Sequence, residues 1–126
     1  MKRLLATLLL AALAAPATAQ EPPKLTIEQQ TLMRCSATFA LVAGEQAKGD
    51  AAALRYPALG ERGREYFVRT AAKLTDDLGV SRETVMGLFS REAGRVQAER
   101  AAAPNSAEIT DRIMRTCLVS LIASGL

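Results

Sequence analysis

Residues 26–49, "TIEQQTLMRCSATFALVAGEQAKG", decide the fold. Thr26 followed three residues later by Gln29 is a capping box, in which each side chain satisfies a backbone amide at the helix start. Leu32, Cys35, Phe39 and Val42 then recur at spacings of three and four, which places them on one stripe of a helix. Gly49 supplies a stop. The segment therefore predicts a capped amphipathic helix with a cysteine on its inward face.

The same grammar repeats along the chain. Pro22 and Pro23 keep residues 20–25 extended. Asp50 is placed to cap a short helix over "AAALRY", and "YPALGERG" (56–63) reads as a loop. A second long helix is expected from Arg62 to Leu78, with the stripe Phe67, Ala71, Leu74 and Leu78 and the cap Gly79. Ser81 opens a third, with Val80 and Val85 as a hydrophobic staple and Val85, Leu88, Phe89 and Val96 facing inward. On that helix Arg91, Glu92, Arg95 and Glu99 read as a solvated face. Pro104 ends it, and Asn105 with Glu108 opens a fourth with the stripe Ile109, Ile113, Cys117 and Leu121. Beyond Cys117 this helix is apolar nearly all round, the pattern of a helix buried on several sides. No segment alternates as a strand does. The expectation is an all-α fold of four main helices in a small antiparallel bundle, one domain over residues 26–126.

The N-terminus reads as an address. Lys2 and Arg3 precede a Leu- and Ala-rich run, then Pro16 and Ala17-Thr18-Ala19. A basic start, a short apolar run and an A-x-A site make a cleaved signal peptide over residues 1–19. The run is too short to span a bilayer, which takes about 20 residues, so no integral membrane span is expected after cleavage. Removing the signal leaves 107 residues with 14 basic against 13 acidic side chains. Bulk charge then gives no strong attraction to nucleic acid or anionic lipid. A periplasmic or secreted location follows, where disulfides persist.

Cys35 and Cys117 are the only cysteines, and the chain has no histidine. That composition removes Ser-His-Asp and Cys-His catalysis and most transition-metal sites. Neither cysteine has a nearby partner for redox chemistry. Each lies about nine residues from its end of the helical domain, at one level if the first and last helices are antiparallel neighbours. A structural disulfide Cys35–Cys117 is expected, worth roughly 4–5 kcal/mol by removing unfolded-chain entropy.

Two stretches remain as candidate sites. "KLTDDLGVSRETVMGLFSR" (73–91) resembles the helix-turn-helix of bacterial repressors around Gly79. Thr75 departs from that pattern, and Asp76-Asp77 put negative charge where a phosphate backbone would pass. With the signal peptide, this removes nucleic acid from the expected partners. "RYPALGERGREYFVR" (55–69) gathers Arg55, Tyr56, Arg62, Arg64 and Tyr66. Arg with Tyr on a loop suits an anionic ligand or a partner carboxylate, although Glu61 and Glu65 stand ready to neutralise two arginines.

The order of these segments, from signal peptide to "RCSATFALVAG", "YPALGERGREYFVR" and the terminal "CLVSLIASGL", is similar to small secreted helical proteins of unknown function from proteobacteria. That resemblance implies a fold and a compartment and carries no catalytic motif. Periplasmic acid-stress chaperones, also small, helical and held by one disulfide, offer an analogy at the level of fold. The sequence expectation is a non-catalytic interaction or structural module, chaperone-like in kind, acting on an unknown protein partner or client, with no cofactor and no metal. The alternatives are a binder of a small anion through residues 55–69 and an enzyme working through carboxylates.

Overall fold

The computed structural model describes residues 21–126. The signal segment and its cleavage point lie outside the described residues. Four α-helices account for most of the chain: α1 (Ile27–Ala47), α2 (Gly60–Leu78), α3 (Arg82–Ala102) and α4 (Ser106–Ala123), with one 3-10 turn (Ala53–Arg55) between α1 and α2. Among the described residues there is no strand.

The caps explain three of the four starts. Thr26 and Gln29 close the capping box at α1. Ser81 Oγ accepts from Thr84 N at α3, and Asn105 Oδ1 accepts from Ala107 N at α4. Each such cap is worth about 1 kcal/mol. Between α2 and α3, Gly79 adopts φ +60°, a left-handed conformation that a side chain would oppose.

α2 is the exception. It begins at Gly60, inside the stretch expected to be a loop, and no side chain caps it. The expected short helix after Asp50 is a single 3-10 turn, held by Asp50 Oδ1 accepting from Ala53 N. The connection is ordered from a distance. Gln46 at the end of α1 donates to the carbonyls of Ala53, Tyr56 and Pro57 and accepts from Leu59 N. One side chain thus satisfies backbone groups on both sides of Pro57, between the 3-10 turn and the start of α2.

α1 occupies the centre and packs against α2, α3 and α4. Residues 35–39 are all buried, which covers every side of one helical turn. Small side chains make this possible: Ser36, Ala37 and Thr38 let neighbouring helices approach closely. The helix expected to be buried on several sides was α4. There the outcome differs: Ile113, Met114, Cys117 and Leu121 face inward, while Val119 and Ile122 remain 67% and 70% exposed.

Two apolar clusters fill the interior. The larger gathers Cys35, Phe39, Val42, Leu59, Tyr66, Val96, Ile113, Met114, Cys117 and Leu121. The smaller gathers Met33, Leu74, Val85, Leu88 and Phe89 at the corner between α2 and α3, with Val80 of the staple packed on it. Cys35 and Cys117 form the expected disulfide, with Cα atoms 5.1 Å apart and both residues buried. It fastens the central helix to the last one.

Candidate functional site

The five Arg and Tyr candidates do not form one patch. Because α2 starts at Gly60, Arg62, Arg64 and Tyr66 sit on a helix and point in different directions. Tyr66 is buried. Its ring packs edge-to-face on Phe39 at 5.1 Å, and its hydroxyl shares a hydrogen bond of 2.6 Å with Ser120 on α4. Burial pushes its phenol pKa up. Arg62 donates to the carbonyl of Leu126 at 2.6 Å, and Arg69 donates to Glu65 and to the carbonyl of Ser124. These three residues form a seam that ties α2 to the end of α4.

Arg55 and Tyr56 serve a different junction. Both meet Asp111 on α4: the Tyr56 hydroxyl donates to its carboxylate, and Arg55 Nη2 lies 3.5 Å away. The Tyr56 phenol is pushed up to about 12, first by burial and then by the hydrogen bond to Asp111. Nearby, Arg100 of α3 pairs with Glu45 of α1. The 3-10 turn, the end of α1 and the start of α4 are thus joined by polar contacts.

Arg64 is left over. It is exposed and, unlike Arg55, Arg62 and Arg69, has no hydrogen-bond or ion-pair partner among the described residues. It stands at the rim of a cleft of about 250 Å³ between α1 and the first turns of α2.

The face of α3 read as solvated contains a buried acid. Glu92 is only 4% exposed. It pairs with Arg34 of α1 at 3.3 Å and with Arg95 at 3.2 Å. Arg34 also grips Glu99 with both terminal nitrogens. This pairing holds the Glu99 carboxyl below its usual range and raises the Arg34 guanidinium. The network lies on an open cleft of about 750 Å³ whose lining also includes Pro22, Pro23, Met33 and Leu88. No local pattern points to this pairing, because Arg34 lies 58 residues before Glu92.

At the corner resembling a helix-turn-helix, Asp77 is occupied by Lys73 at 2.8 Å and by Gln29 of α1. Among the described residues no group of three His, Cys, Asp or Glu is placed to hold a metal, and no helix is long and apolar enough to cross a membrane.

The most exposed apolar surface on α4 is its outer ridge. Arg115, Val119 and Ile122 follow one another at helical spacing, all exposed. Leu118 beside them is half-buried. Comparison with known protein families, with characterised proteins and with solved structures finds no match to the chain.

Proposed function

We propose that this chain is a periplasmic or secreted interaction module that engages a protein partner or client through the outer ridge of α4. The observation that carries the reading is the exposure of Val119 and Ile122 on a helix otherwise fastened down by a disulfide. Covering the rest of each side chain is worth about 1–2 kcal/mol, enough for two anchors within a larger interface. Arg115, one turn away, favours an acidic group beside an apolar segment on the partner. The disulfide and the basic, apolar N-terminal sequence support an oxidising compartment outside the cytoplasm.

The reading treats the chain as non-catalytic. Its acids are engaged in ion pairs or spread over the surface, and it contains no histidine.

Photo-crosslinking from positions 119 and 122 in cells tests the proposal, with exposed Arg82 on α3 as the control position. One shared adduct at 119 and 122, absent at 82, is the expected result. No adduct, or the same adducts from all three positions, refutes it.

A further inference from the structure

The cleft between α1 and α2 is shaped by small residues on both helices. At Gly63 the two helices nearly touch: a Cβ there would lie 3.2 Å from Phe39 Cβ. Beside that contact, the small side chains Ala40 and Ala43 and the bare Gly60 leave a trough, and a Cβ on Gly60 would meet nothing within 4 Å. The walls are Phe39, Leu59 and Phe67. Both rings are held in place, Phe39 against Tyr66 and Phe67 against Phe89 at 4.5 Å. The trough is therefore preformed. Among the described residues its only charged lining residue is Arg64.

We infer that this cleft binds a small amphipathic carboxylate, its apolar part in the trough and its charge on Arg64. The occupant follows from complementarity. A bare anion would gain only an exposed ion pair, worth about 0–1 kcal/mol. A neutral apolar molecule would leave the guanidinium unused. A carboxylate with a short acyl chain or one aromatic ring uses both, and a guanidinium matches a carboxylate with two parallel hydrogen bonds. The volume of about 250 Å³ lies just below the usual range for ligand pockets, roughly 300–1,000 Å³. It suits a fragment-sized ligand and is too small for a two-chain lipid.

The site is separate from the α4 ridge. Arg64 lies close to the opposite side of α2 from Tyr66, which faces α4. Failure of one proposal leaves the other standing.

Straight-chain alkanoates from butanoate to octanoate, titrated into the protein while the Ala40 and Ala43 methyl resonances are followed, provide the test. Saturable shifts are expected, with Kd falling about fourfold per added methylene until the trough is full. Arg64→Gln weakens carboxylates by about two- to fivefold and leaves the primary alcohol of equal length unchanged. Ala40→Leu fills the trough and removes binding of both. Ala40 and Arg64 are exposed, so an unchanged melting temperature certifies each variant. The inference is overturned if no alkanoate saturates, if the alkylamine binds as tightly as the carboxylate, or if either variant binds as the parent does.

Discussion

The two apolar clusters are held in different ways. The one around Cys35 and Cys117 draws on every helix and carries the covalent link. The one at the α2–α3 corner uses Met33 of α1, Leu74 of α2 and Val85, Leu88 and Phe89 of α3, and has no contribution from α4. In the corner α2 and α3 meet through a tight Gly79 turn and the Ser81 cap, so the partners they contribute are close in sequence and only Met33 comes from afar. In the larger cluster, α4 must return to α1 across 82 residues, and it arrives with part of its apolar surface uncovered. A covalent staple is found where non-local packing alone leaves the helix thinly held. It is missing where local turn chemistry and a dense apolar corner suffice.

The largest test of this contrast is removal of the staple. The Cys35→Ala/Cys117→Ala variant, or the reduced protein, is expected to lose about 4–5 kcal/mol in urea denaturation, comparable to the whole net stability of such a domain. Amide exchange should rise in α4 before it rises at the corner. Equal loss of protection in both regions would break the comparison.

Next come two truncations of fully buried leucines, Leu121→Ala in the stapled cluster and Leu74→Ala in the corner. Each is expected to cost about 2–5 kcal/mol in the oxidised protein. Combined with staple removal they should diverge. Leu121 packs one turn from Cys117, so its cost should be non-additive with the staple, while that of Leu74 should add within about 0.5 kcal/mol. The measurement is a double-mutant cycle from urea midpoints, run in a stabilising osmolyte so that the doubly altered chains still fold, and coupling at Leu74 as large as at Leu121 would merge the two regions.

The smallest expected effect is from acid. Asp77, hydrogen-bonded by Lys73 and Gln29, titrates below its ordinary value, and Glu99 does the same beside Arg34. A carboxyl lowered in the folded state adds stability that is complete above its unfolded pKa, near 4, and is lost as pH falls through the folded value. Stability should therefore be flat from pH 7 to about 5 and decline below it. Asp77→Asn should flatten only the corner's share, read as carboxyl and amide shifts in an NMR titration.

Much of the fold was legible because its determinants are local. Thr26, Ser81 and Asn105 mark helix starts by bonding backbone two or three residues away. The Cys35–Cys117 pairing followed from compartment, composition and helical level. The start of α2 was not legible, because Pro57, Gly60 and Gly63 read as a loop while the ordering side chain, Gln46, sits on another helix. Glu92 resembled a surface acid because its partner Arg34 is distant in sequence. The Arg and Tyr stretch looked like one site for the same reason: Asp111, Ser120 and the carbonyls of Ser124 and Leu126 that engage it lie in α4 and just beyond. Val119 and Ile122 went unread because hydrophobicity shows that a helix has no polar face, without showing which face the bundle leaves bare.

The span of the disulfide sets an order of events during synthesis. Cys35 emerges 82 residues before Cys117, so the cross-link closes only after α1, α2 and α3 have all appeared. The corner, which uses α1, α2 and α3 and nothing from α4, can assemble while α4 is still arriving. Throughout that interval Cys35 is an unpaired thiol, sheltered only by whatever α1 has already packed against. The staple thus seals an arrangement that the corner began, and a defect in the corner is expected to surface first as free thiol or chain-to-chain disulfide in newly made protein.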